Sequence, residues 1–213
     1  MKLVTIMNTE RCDFVYYLGR ILSQLSVNVI LIDNSEKHEL FRTIQGLLES
    51  DDKEEKSMIE RGNVTYLKDV AYSPEFLASF DYIVVLMGNN YDEEYVNQSD
   101  LLFSMPDYRP DTLDDIAGLP ETAMYIMRDK AGKINEKSAA EIMNILPTQI
   151  VGSIDYDYND YSAYLALLYN GRQRLKGLSQ PMIEALAFVV AKASEKDEKD
   201  VLKALKKERK EKV

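Results

Sequence analysis

The sequence predicts an α/β fold, a three-layer sandwich with a mostly parallel central sheet. Apolar runs of strand length stand at residues 2–7, 27–32, 81–87 and 123–128, as expected of strands covered on both faces. Segments with apolar residues at helical spacing separate them. Strand and helix alternate along the chain rather than falling into blocks, which is the order of a parallel sheet built through crossover helices. A chain of 213 residues is long enough for one sizeable core.

The first run, 2–7, leads through the loop Asn8-Thr9-Glu10-Arg11 into a helix expected over 12–25, with Phe14, Val15, Leu18, Ile21, Leu22 and Leu25 on its apolar side. The second run closes on Asp33-Asn34-Ser35, and Ser35 is a plausible N-cap for a helix over 36–48. Residues 49–61 are crowded with Asp, Glu and Lys and predict an exposed loop or a short solvated helix near 56–60. A short strand follows at 64–67, then a brief helix that begins at Ser73-Pro74-Glu75 and runs through Leu77, with proline in its first turn. The third strand ends at Gly88-Asn89-Asn90, where the asparagines read as turn formers. Prolines at 106, 110 and 120 make 91–119 a loop with short helical pieces. A strand at 123–128, a helix at 135–146, a short strand at 149–154 and helices at 161–170 and 179–193 complete the pattern. The expected organisation is one domain, 1–193, with a charged helical tail, 194–213.

Composition narrows the chemistry. A net charge of -10 argues against general nucleic-acid binding. Residues 201–213 run the other way, with six Lys/Arg against two Glu, so the tail is basic on an acidic body. It lacks the bulky apolar face of a membrane-surface helix, so direct membrane binding is not expected; a solvated helix or a basic arm for an acidic partner is. No apolar run is long enough to span a bilayer, and the N-terminal run is too short for a signal peptide. The single cysteine, Cys12, excludes an internal disulfide and suits a reducing cytoplasm. With one histidine, His38, there is little room for a zinc centre or a Ser-His-Asp triad.

Strand, loop, helix and a strand ending in an acid is how a parallel domain that binds phosphates begins, and its loop is normally glycine-rich so that backbone N–H groups can approach the anion. This loop has no glycine. Arg11 stands near a helix N-terminus, an unfavourable place for a cation, and an anion there would relieve it. Cys12 is either a thiol acidified by its place beside Arg11 or a small buried residue. Asp33, a strand-end acid, is placed to cap the turn Asn34-Ser35 or the next helix. Tyr156, Tyr158 and Tyr161, in an acidic and aromatic stretch, are either a recognition surface or a loop whose rings pack on the core.

In order and flanking sequence the chain resembles the MinD/ParA family of deviant Walker ATPases (the SIMIBI class of P-loop proteins). The first strand, Val29-Ile30-Leu31-Ile32-Asp33, Phe80-Asp81-Tyr82-Ile83-Val84-Val85, and Val151-Gly152-Ser153-Ile154-Asp155-Tyr156-Asp157 are similar to its strands. Asp160-Tyr161-Ser162-Ala163 is similar to its "D-x-x-x-A" step in compressed form, with Gly171 and Leu178-Ser179 following. Counted back from Leu25, the resemblance puts Arg11 at the phosphate-loop lysine and Cys12 at the magnesium-binding hydroxyl. It puts Leu86 where the Walker B acid stands, and Asp33 at the acid beside phosphate and metal. The loop is shorter than the family's.

A member degenerate at both ends of its site implies a pseudo-ATPase with no cofactor. It would act as a scaffold or positioning protein for a bacterial membrane-associated machine such as a pilus, secretion or conjugation apparatus, in the manner of TadZ-like proteins. The implied partners are proteins, with a homodimer among them, and the implied location is the cytoplasm with recruitment to the membrane by those partners. The alternative is an unorthodox ATPase, or a nucleotide or anion sensor, with ATP and magnesium held by Arg11 and Asp33 in a rearranged site.

Overall fold

The computed structural model describes residues 1–26, 28–46, 57–114, 116, 118–132, 135–171 and 174–210. The strands are β1 (Lys2–Met7), β2 (Val29–Asp33), β3 (Met58–Arg61), β4 (Val64–Lys68), β5 (Tyr82–Gly88), β6 (Leu101–Ser104), β7 (Met124–Lys130) and β8 (Ile150–Asp155). They form one sheet in the order β3-β4-β2-β5-β1-β6-β7-β8, parallel throughout except where β3 runs antiparallel to β4. The fold class expected from the sequence is the one found.

Alternation along the central strands sorts side chains to two faces. Val4, Ile6, Leu31, Val84 and Leu86 belong to one core cluster, and Leu3, Met7, Ile32, Val85 and Met87 to the other. The first cluster is covered by α1 (Asp13–Leu22), α2 (Glu39–Gln45), α7 (Tyr158–Asn170), α8 (Gln180–Ser194) and α9 (Glu198–Lys210). The second is covered by α3 (Pro74–Leu77), α4 (Glu93–Gln98), α5 (Pro110–Asp114) and α6 (Glu136–Ile142). Helix α1 is the most deeply set, with even Tyr16, Tyr17 and Gly19 buried. A Cβ on Gly19 would fall 2.6 Å from Leu31 Cδ1, so the missing side chain is what lets α1 lie this close to β2.

Several boundaries differ from the expectation. Residues 58–61 form the edge strand β3 rather than a loop or solvated helix. Its short exposed-buried alternation, followed by the two-residue turn Gly62-Asn63, is a hairpin pattern that the surrounding charges mask. The four-residue strand β6 lies inside the segment expected as loop, held by its pairing with β1. Helix α2 begins at Glu39, and Ser35 does not cap it; the Ser35 hydroxyl donates to Asp33 instead. The expected apolar positions Leu47 and Leu48, and the segment through residue 56, lie outside the described residues. Helix α7 starts at Tyr158, capped by Asp157, three residues before its expected start. Ser179 caps α8 as anticipated, and Ser73 caps α3.

The charged tail turns at Glu195, which takes a left-handed backbone conformation, and α9 folds back on the body. Val201, Ala204, Leu205 and Glu208 are buried against it, a single stripe at helical spacing. Among the described residues no helix is long and apolar enough to cross a membrane.

Candidate functional site

In an open parallel sheet, ligands bind beyond the carboxyl ends of the strands, where neighbouring crossovers diverge. Here that place is the corner at the ends of β1, β2 and β5, at the N-terminus of α1. The loop from Asn8 to Cys12 is tied down locally. Asn8 adopts positive φ, donates its N–H to the Gly88 carbonyl at 2.6 Å and accepts at its side-chain oxygen from Ser104 at 2.8 Å. Gly88 must be glycine, since its φ is positive and a Cβ would fall 3.0 Å from that of Ser35.

Arg11 does not point into an open anion site. Its guanidinium donates to Asp13 at 2.7 Å and to both carboxylate oxygens of Asp129 at 3.1 and 3.2 Å, and it stacks over the Tyr164 ring at 4.6 Å. Asp13 is fully buried and also accepts from both terminal nitrogens of Arg128, at 2.9 and 3.0 Å. Two guanidiniums thus face two carboxylates. Burial alone would push the Asp13 carboxyl up, but Arg128 and Arg11 outweigh it and hold the group down at about 2. Burial would likewise lower the Arg11 pKa, and Asp13 with Asp129 raises it instead. The anion that Arg11 needs beside a helix N-terminus is supplied by the chain itself.

The backbone amide of Cys12, at the start of α1, is taken as well. It donates to Glu39 Oε2 at 3.2 Å, while Glu39 Oε1 accepts from the Tyr164 hydroxyl at 2.7 Å. A carboxylate from α2 therefore stands at the N-terminus where a phosphate oxygen would be stabilised by the same amide and dipole. The Cys12 thiol is buried, and burial, followed by Glu39 and Asp13, pushes its pKa well above the ordinary value. The acidified thiol considered from sequence is not what the surroundings produce. Asp33 is fully buried; it accepts from the Ser35 amide and hydroxyl at 3.2 and 2.5 Å and from the Phe41 amide at 3.0 Å. It closes its own turn and caps the first turn of α2. Leu86, the β2–β5 partner of Asp33, is buried in the apolar cluster with Cys12 and Phe14.

Matches with solved structures cover nearly the whole chain. A ParA family ATPase from Chlorobium tepidum TLS superposes with a TM-score of 0.57 at 14% identity, covering 96% of this chain and 98% of that one. The MinC:MinD cell division protein complex from Aquifex aeolicus gives 0.55 at 13% identity, covering 100% and 98%. A plasmid partition candidate from Borrelia burgdorferi B31 bound to AMPPNP gives 0.55 at 13%, covering 97% and 98%. The chain has a MinD/ParA-like fold. No family model and no curated protein sequence matches it, and at these identities the likeness is one of fold.

Within the MinD/ParA-like frame, the parts that would hold a magnesium triphosphate are either absent or engaged. The loop has no glycine, the Cys12 amide and Arg11 are committed to carboxylates, and beside Asp33 on β5 stands the isobutyl group of Leu86. Among the described residues no group of three or more His, Cys, Asp or Glu side chains is placed to hold a metal ion. These donors do not fit the group.

Arg11 and Cys12 are neighbours in the corner, and Asp33 lies next to it in a separate hydrogen-bonded turn. Tyr161 borders that corner, its ring 5.9 Å from the Arg11 guanidinium, and Tyr156 packs outward from it at 6.4 Å. Tyr156, Tyr158 and Tyr161 are 54, 74 and 38% exposed. Tyr158 and Tyr161 continue along α7 into Leu165 and Tyr169, the latter 87% exposed, a stripe at three- and four-residue spacing. Tyr161 packs 6.2 Å from Tyr164, which joins this face to the closed corner. Sequence reasoning missed Asp13, Glu39, Arg128, Asp129 and Tyr164. The only available hint was the charged pair Arg128-Asp129 at the end of an otherwise apolar strand.

Proposed function

We propose that this protein is a MinD/ParA-fold pseudo-ATPase, a scaffold that has kept the fold and carries out no nucleotide hydrolysis. The observation that carries this reading is the corner itself, where Arg11, Asp13, Arg128 and Asp129 neutralise one another and Glu39 takes the α1 amide. Binding a triphosphate there would place three or more negative charges beside Glu39, Asp13 and Asp129 and would require breaking a buried, hydrogen-bonded ion cluster, at a cost of several kcal/mol. No cofactor is required by this reading.

The docking surface is the exposed aromatic stripe of α7, with Tyr156, Tyr158 and Tyr161 at its start and Tyr169 at its end. Tyrosine gives large contact area at low conformational cost and is enriched where proteins meet. The partners are proteins, including a second copy of the chain. The setting is the cytoplasmic side of a bacterial membrane-associated machine, such as a pilus, secretion or conjugation apparatus, to which the partner recruits it, as in TadZ-like proteins.

Phosphate release from ATP with magnesium tests the first half. The expected rate equals the buffer blank and is unchanged in Arg11→Ala and Asp33→Ala. Release above the blank that either variant abolishes overturns the reading in favour of a rearranged ATPase. Magnesium-dependent ATP binding that Arg11→Ala removes overturns it in favour of a sensor. For the second half, a purified partner should bind the wild type and be lost from a Tyr158→Ser/Tyr169→Ser variant; retention in that variant would refute the α7 face.

A further inference from the structure

A second cationic cluster lies further along α1, away from the closed corner. A cavity of about 370 Å³ opens between the C-terminal half of α1, the β3–β4 hairpin and α9. It is within the size range of small-molecule sites. Three of these elements each contribute one cation: Arg20 from α1, Arg61 from β3 and Lys207 from α9, with Tyr16, Tyr66 and Asn63 among the other walls. Among the described residues that line it none is acidic, on a chain whose net charge is -10.

The carboxylate that reaches this cluster is Glu208. It is buried, pairs with Arg20 at 2.7 Å and accepts from Gln24 at 3.1 Å. It pairs with Arg20 and, among the described residues, with neither Arg61 nor Lys207. The Arg61 guanidinium stands against the Gly171 carbonyl at 3.5 Å, a neutral acceptor at the limit of hydrogen bonding. Lys207 pairs with no carboxylate among the described residues. Like charges held together in a partly enclosed cavity repel, and an anion of matching size turns that repulsion into attraction. A guanidinium and an ammonium with neutral hydroxyl and amide neighbours are the donors that recognise phosphate oxygens.

We propose that this cavity binds a small phosphorylated compound or pyrophosphate, and that the bound anion ties α9 to the body by bridging Lys207 to Arg61 and Arg20. Among its described side chains, helix α9 buries Val201, Ala204, Leu205 and Glu208, so an added charged bridge changes its attachment appreciably. The site is separate from the α1 N-terminus and does not depend on whether that corner is closed.

The test uses the full chain, with inorganic phosphate and pyrophosphate at millimolar concentration without magnesium, against sodium chloride at matched ionic strength. Binding by calorimetry and a rise in melting temperature are expected for pyrophosphate, and neither for chloride. Losing two charge-assisted contacts in Arg61→Gln/Lys207→Gln should weaken binding by about tenfold or more, while Arg11→Ala binds as the wild type does. Hydrogen exchange in α9 should slow on binding in the wild type and be unchanged in the double variant. The proposal is overturned if pyrophosphate does not bind, if chloride reproduces the shift, or if the double variant binds equally well. It is overturned too if exchange in α9 is unmoved by binding. Loss of binding in Arg11→Ala with retention in the double variant would overturn it and also reopen the corner as an anion site.

Discussion

The two ends of α1 carry the same kind of side chain in opposite states. At the N-terminal end, Arg11 and Arg128 are met by Asp13 and Asp129 within 3.2 Å, and the cluster is closed. Towards the C-terminal end, Arg20 is met by Glu208, while Arg61 and Lys207 add charge that no carboxylate among the described residues of the cavity wall answers. The difference lies in the balance within each cluster, not in the number of cations. A basic residue at a familiar place in a fold is therefore weak evidence of a ligand until its carboxylates have been counted. The end that the fold would nominate for phosphate is spoken for, and the end it would not nominate has charge to spare.

The largest expected effect comes from opening the closed end. Arg128→Ala leaves Asp13 buried with half of its partners gone, and unfolding in urea should show a loss of about 3–5 kcal/mol. The matching change at the open end, Arg61→Ala, should stay within about 0.5 kcal/mol. Equal losses at the two ends would erase the contrast between them.

A smaller effect should appear on acidification. The Asp13 carboxyl is held at about 2 against an ordinary value of 3.8, so its folded-state value is depressed. It contributes stability that is fully present above the unfolded value and is lost as pH falls through the folded one. A depression of this size corresponds to about 2–3 kcal/mol. Unfolding free energy measured between pH 5 and pH 2 should fall by that order from this group, and the component should vanish in Asp13→Asn. An Asp13→Asn protein with the wild-type acid slope would show that the slope arises elsewhere. Smallest of all, Tyr158→Ser and Tyr169→Ser should each change stability by no more than about 0.5 kcal/mol, because both rings stand in solvent. A larger loss would mean that α7 needs those rings for its own packing.

The parts legible from sequence were those written in long apolar runs. β1, β2, β5 and β7 are buried on both faces and announce themselves, as does the cap Ser179. β3 and β6 were not legible, since each has four residues and owes its conformation to a neighbouring strand rather than to its own pattern. In the site, Arg11 and Asp33 stood out by position, and their partners did not. Asp129 lies 118 residues from Arg11 and reaches it only because the sheet sets β6 and then β7 beside β1. The tail reads from sequence as a charged helix, and nothing in its few apolar residues names α1 and α8 as the surface that Val201, Ala204 and Leu205 cover.

Leu86 gives the corner a kind of memory. Its backbone lies directly across from Asp33 on the adjacent strand, in apolar surroundings. Writing an acid at that one position would set two buried carboxylates side by side with no cation between them, a penalty of several kcal/mol. Installing a glycine-rich loop alone would leave Glu39 and the Arg11–Asp13 pair in its way. Each single step towards a metal–nucleotide site is disfavoured until the others have been taken, so mutation and selection acting one residue at a time are held on the near side of that barrier.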